Sequence, residues 1–154
     1  MLSNHSSRFF YSMLFFFAFH CSSFAQNNTP ALIDTPGFER VSQEAFQHRR
    51  QRLVDLQTFL ALSTQENTII LDTRSAAAYA KKHLSGAVHL NFSDFTASKL
   101  AALVPDKNTR ILIYCNNNFA DDPGNFPTKS APLALNIPTF INLYGYGYTN
   151  IYEL

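Results

Sequence analysis

The sequence predicts an α/β fold built on a parallel sheet, and three observations carry that reading. Thr68-Ile-Ile-Leu-Asp72 and Arg110-Ile-Leu-Ile-Tyr114 are short continuous apolar runs, the pattern of strands buried on both faces. Between and around them lie segments rich in strong helix formers, such as Ala76-Ala-Ala-Tyr-Ala-Lys-Lys82. Strand and helix then alternate to the end of the chain, which requires crossover connections and hence parallel pairing.

Composition limits the rest. A chain of 154 residues supports one domain and leaves no room for two of ordinary size. A net charge of +1 with no basic run argues against nucleic acid as a main partner, because phosphate binding needs clustered Lys and Arg. Two cysteines cannot make a disulfide scaffold, and Gly 5 with Pro 7 excludes collagen-like or low-complexity chains. The 15 Phe are unevenly placed, with seven of them in the first 25 residues.

Those 25 residues read as an export signal. A single cation, Arg8, precedes an apolar core that ends at Phe19, and Ser23-Phe24-Ala25 supplies small residues at the two positions a signal peptidase reads. The run is shorter than the ~18 apolar residues needed to span a bilayer, and His20 interrupts it. A lipoprotein site at Cys21 fits poorly, since His20 stands where a small residue is required. Cleavage after Ala25 leaves 129 residues with 11 basic and 11 acidic side chains and one cysteine, Cys115. The product is expected in the periplasm of a Gram-negative bacterium, or otherwise secreted, with no stable insertion in a membrane.

Residues 26–54 read as a leader and an N-terminal helix. The leader covers 26–40, with two Pro, one Gly and no period, and a short polar helix follows from Ser42 as N-cap. Arg49, Arg50 and Arg52 on it read as a solvated face, with a docking patch as the sharper alternative. Leu53-Val54 is a very short strand, and Asp55 caps a helix over Leu56 to Leu62, where Leu56, Phe59 and Leu60 fall at helical spacing. After the strand at 68–72, Ser75 caps a helix through Lys82, Gly86 stops it, and Ala87-Val88-His89-Leu90 is the next strand. A helix over Thr96 to Leu103 and a turn at 105–108 lead into the strand at 110–114. A polar loop of twelve residues, 116–127, is followed by an apolar helical stretch from Thr128 or Ser130 to about Leu143. Pro132 fits its first turn and Pro138 a kink, Gly145-Tyr-Gly147 ends it, and Thr149 to Tyr152 is the last strand.

Cys115 is the candidate for chemistry. In an open α/β sheet ligands bind at the carboxyl ends of the strands, and Cys115 lies one residue past the clearest strand. It enters a loop feeding a helix N-terminus, where backbone N–H groups favour a thiolate. The competing reading is a buried structural thiol, since Cys is among the most buried residue types.

Taken in order, Ile70-Leu-Asp-Thr-Arg-Ser75, Tyr79 with His83-Leu-Ser-Gly-Ala-Val-His-Leu90, Ile111-Leu-Ile-Tyr-Cys115, Lys129-Ser-Ala131 and Gly147-Tyr-Thr-Asn-Ile-Tyr152 resemble the rhodanese-like domains. The resemblance covers residues 55–154. It implies a parallel five-stranded sheet with helices on both faces and the cysteine at the mouth of a cradle-shaped loop. Asp72 and Arg74 match the family's structural acid–base pair, and His83 with Gly86 matches a turn that brackets the site. Asn116, Asn117, Asn118 and Phe119, with Lys129 and Ser130 beyond them, are the implied substrate contacts. The implied activity is sulfur transfer: Cys115 takes sulfane sulfur from a small donor as a persulfide and passes it to a thiol acceptor, with no cofactor and no metal. Departures from the family lie in the loop, which is long, lacks Arg, and carries Asp121 and Asp122. These acids are expected to repel a dianionic donor and make thiosulfate turnover poor.

The alternatives are weaker. A cysteine phosphatase needs Arg six residues after its nucleophile, and that position is Asp121. His48, His83 and His89 lack metal-ligand spacing, and the Asn and Asp of the loop lack a calcium-loop pattern. A thiol redox role lacks a second cysteine to resolve an oxidised Cys115. Phe119 and Phe126 read either as a lid over the cysteine or, preferably, as staples of the loop to the core. A rhodanese-like module without turnover, binding a protein partner through the long loop or the arginines, is the main rival to the enzyme.

Overall fold

The structure is a computed structural model that describes residues 32–154. The export signal expected over residues 1–25 lies outside the described residues. Helix α1 (Thr35–Arg49) starts at Asp34, whose carboxylate accepts from the Gly37 N–H at 2.9 Å. Pro36 stands in its first turn, where a missing N–H costs nothing. The helix therefore begins seven residues before the expected cap at Ser42. An Asp-Thr-Pro-Gly run that reads as a breaker is here a capped helix start.

Local signals set the following elements as expected. Asp55 caps α2 (Leu56–Ser63) by accepting from the Thr58 N–H at 2.7 Å. β1 (Thr68–Asp72) leads to α3 (Ala76–Lys81), capped by Ser75, and then to β2 (Ala87–His89). Thr96 caps α4 (Ala97–Leu103), and β3 (Arg110–Tyr114) follows. The last two elements are shifted. A 3-10 turn at Ala131–Leu133 precedes α5 (Asn136–Gly145), so Pro138 lies in a first turn and kinks nothing. β4 (Ile151–Glu153) starts two residues late, after the buried Tyr148, whose hydroxyl donates to the Val104 carbonyl at 2.8 Å.

The sheet has four parallel strands in the order β2-β1-β3-β4, where five were expected. Leu53 makes only an isolated parallel bridge to Glu153. Arg52 and Val54 exchange backbone bonds with Glu153, but α1 ends at Arg49 and Asp55 already caps α2. The extended piece is too short to be a strand.

Alternation along the strands splits the core into two layers. Leu71, Ile111, Ile113 and Ile151 pack with Ala45 of α1, Leu100 of α4 and Phe140 and Leu143 of α5. Ile70, Leu112 and Tyr114 pack on the other face with Phe59 of α2 and, at the margin, Tyr79 of α3. Helices thus cover both faces. α1 belongs to the same unit as the sheet, since Ala45 is fully buried and Arg49 pairs with Glu153 at 2.5 Å. Of the arginine cluster, Arg49 is committed to that pair and Arg52 lies over the Tyr152 ring at 4.8 Å. Among the described residues no helix is long and apolar enough to cross a membrane.

Truncating Ile113 to Ala, in the centre of this core, is expected to cost about 2–5 kcal/mol. Leu53→Ala at the exposed bridge should change stability by under about 0.5 kcal/mol. Urea unfolding checks both: the midpoint should fall for Ile113→Ala with an unchanged slope and barely move for Leu53→Ala.

Candidate active site

The carboxyl ends of β1 and β3 are joined by a buried ionic knot. Arg74 curls back over Asp72, donating from Nη2 to Oδ2 at 2.6 Å and from Nε to Oδ1 at 3.0 Å, and its own backbone N–H also donates to Oδ1. The Tyr114 hydroxyl donates to the same Oδ2 at 2.5 Å across the strand pair. Arg74 then reaches outward to the Lys82 carbonyl at 2.6 Å and the Asn116 side-chain oxygen at 3.3 Å. Its guanidinium lies 4.5 Å from the Phe126 ring centre. Burial would raise the Asp72 carboxyl, but the bonds from Arg74 and Tyr114 outweigh it and hold the group below the usual carboxylate range. Burial first, and then the bond to Asp72, push the Tyr114 phenol well above its ordinary value, so it remains a donor.

Cys115 follows β3 directly and precedes a 3-10 turn at Asn116–Asn118. It is 2% exposed and still borders a cleft. Asn118 stands behind it: Oδ1 accepts from the Cys115 N–H at 2.8 Å and from Asn136 Nδ2 at 3.3 Å, while Nδ2 donates to the Leu154 carbonyl. Asn117 closes the long loop at its base. Its amide accepts from the Lys129 N–H at 3.0 Å and donates to the Lys129 carbonyl at 2.8 Å. The far part of the loop is tied to α3, with Lys82 on Asp122 at 2.6 Å and Lys81 on the Gly124 carbonyl at 2.7 Å. Phe119 and Phe126 pack on each other and, with Tyr114, into the core layer of α2 and α3.

The cleft has a volume of about 350 Å³ and opens at the carboxyl ends of β1, β2 and β3. Of the expected site residues, Cys115, Asn116, Asn117, Lys129 and Arg74 meet in its wall. Asn118 and Phe119 do not line it, for the reasons of geometry just given, and Ser130 is exposed outside it. His83 stacks on Tyr79 at 3.9 Å and its Nδ1 is bonded to the Tyr79 carbonyl, while Gly86 turns the chain at φ 79°. Both serve the turn between α3 and β2 rather than the wall. Arg74, taken as scaffold, does both jobs.

Thr73, Ser75, Asn91 and Ser93 complete the polar wall, and the sequence reading missed them. Their signal was available, since each follows the carboxyl end of β1 or β2. Asp121 and Asp122 do not line the cleft, and Asp122 is paired with Lys82 and Asn125, which hold its carboxyl below the usual range. The wall contains Arg74 and Lys129 and no carboxylate. That charge pattern admits an anion.

The knot has a pH signature. A carboxyl lowered on folding contributes stability fully above its unfolded value of about 4, and loses it as pH falls through the lowered folded value. Tyr114→Phe removes one donor to the carboxylate, costs about 1.5–3 kcal/mol at neutral pH, and should move acid unfolding to higher pH. Asp72→Asn leaves the Arg74 charge buried and uncompensated, a loss of about 3–5 kcal/mol. Circular dichroism across an acid titration reads both variants.

The comparisons with known proteins agree with this architecture. No curated protein and no solved structure matches the chain. The family described as the Rhodanese-like domain matches residues 55–154, the sheet with α2 to α5 and the whole cleft. The chain belongs to the rhodanese-like domain family.

Proposed function

We propose that the protein is an exported sulfurtransferase, or persulfide carrier, with Cys115 as its nucleophile. The observation that carries this reading is a single thiol bordering a carboxylate-free cleft that holds Arg74 and Lys129. In the first half-reaction the Cys115 thiolate attacks the outer sulfur of a sulfane donor such as thiosulfate. The donor S–S bond breaks, sulfite leaves with the electron pair, and Cys115 carries a persulfide. An acceptor thiolate then attacks the outer sulfur, and Cys115 departs as thiolate. The N–H groups of Asn116 and Asn117, which donate to no acceptor among the described residues, are available to the anion. Lys129 supplies the charge, since Arg74 is paired with Asp72.

Incubation with thiosulfate or another sulfane donor should add one sulfur atom to the intact protein by mass spectrometry, and Cys115→Ser should abolish the gain. Failure across several donors would sink the enzyme reading and favour a rhodanese-like module that binds a protein partner. That alternative predicts a pull-down whose yield drops when residues 116–127 are replaced by a short linker.

Export rests on residues 1–25 alone: one cation, a short apolar core, and small residues before the polar Gln26. Expressed in a Gram-negative host, the full chain should yield periplasmic protein whose first residue is Gln26. N-terminal sequencing of a cytoplasmic product that still begins at Met1 would contradict it.

A further inference from the structure

We propose that the sulfur donor is a carboxylate-bearing organic persulfide, and that Lys129 is the residue that selects it. This rests on the sulfur-transfer reading above and extends it to the donor's chemistry. Size is the first argument. At the roughly 30 Å³ that one water occupies in the liquid, a cleft of about 350 Å³ holds on the order of ten water-sized groups. Thiosulfate has five non-hydrogen atoms and would leave much of that space to solvent. A volume above about 300 Å³ suits a small organic molecule.

The wall is the second argument. Phe92, Pro127 and Leu135 give it apolar surface that an inorganic dianion cannot use, whereas the carbon body of an organic donor can. Charge is the third. Arg74 is spent on Asp72, bonded to both carboxylate oxygens in the buried knot. Lys129 has no ion-pair partner among the described residues. It is also well placed, because the Asn117 amide grips its backbone on both sides, at the N–H and at the carbonyl. Asn117 is two residues from Cys115, so the clasp fixes the origin of the lysine side chain relative to the nucleophile. The ammonium supplies the charge for the carboxylate, and the thiol the point of attack.

The transfer balances without an oxidant. The Cys115 thiolate attacks the terminal sulfur of R–S–SH, a new S–S bond forms, and the donor's own S–S bond breaks. R–S⁻ leaves with the electron pair and Cys115–S–SH remains.

The test loads the intact protein from cysteine persulfide, from the same persulfide with its carboxylate esterified, and from thiosulfate, following sulfur on Cys115 by mass. The expected result is a KM for cysteine persulfide below those of both other donors, with about a three- to fivefold preference over the ester, the scale of one solvent-accessible ion pair. Lys129→Ala should reduce that preference to near unity by raising the KM for the acid, and Lys129→Arg should retain most of it. Asn117→Ala, which frees the lysine backbone, should weaken the preference while leaving the ammonium present. Equal loading from acid and ester, or a lower KM for thiosulfate, overturns the donor assignment with sulfur transfer intact. No loading from any donor overturns sulfur transfer itself.

Discussion

The Asp72–Arg74 pair is the constraint on which the rest of this molecule depends. It is buried at the carboxyl ends of the two central strands, where an unpaired charge of either sign would be severely destabilising. Its satisfaction draws in groups from across the fold: the phenol of β3, the carbonyl of Lys82 after α3, and the side chain of Asn116 after the cysteine. His89 of β2 adds a bond from Nε2 to the Arg74 carbonyl at 2.8 Å. A single arginine therefore fixes how three strand ends and the start of the cysteine loop meet. Its position in the cleft wall is a consequence of that structural duty.

The loop after Cys115 solves a different problem. A loop of twelve residues with only one 3-10 turn would carry a large ordering entropy if it closed over the site. Instead the loop is shut at its base by one side-chain amide and held against α3 by two lysines. Phe126 is sunk into the core, and the half-buried Phe119 packs against it. The acidic residues go with the tip, away from the wall, and the cleft is left open with the lysine at its border. A long loop here leaves the cleft beside the thiol open.

Much of the fold was legible because its signals are local. Asp55, Ser75 and Thr96 each cap the helix they precede, and the apolar runs at 68–72 and 110–114 become strands at those residues. The misreadings share a cause. Asp34-Thr35-Pro36-Gly37 and Pro138 contain residues that break helices in their interiors and are welcome in a first turn, and only the placement of the helix distinguishes the two. The fifth strand failed on length, squeezed between α1 and the cap of α2.

Sequence alone determined the order of elements, the parallel sheet, the family, and the thiol at the end of β3, because each depends on periodicity or on residues adjacent in the chain. Tertiary structure decided which side chains share the cleft. Thr73, Ser75, Asn91 and Lys129 come to Cys115 from separate strand ends and from across a loop. The chain distance between them carries no information about that meeting, which follows from strand order and from where the Asn117 amide closes the loop. Charge is the clearest case. Two aspartates close to Cys115 in sequence are absent from the cleft wall, and an arginine 41 positions before it is present.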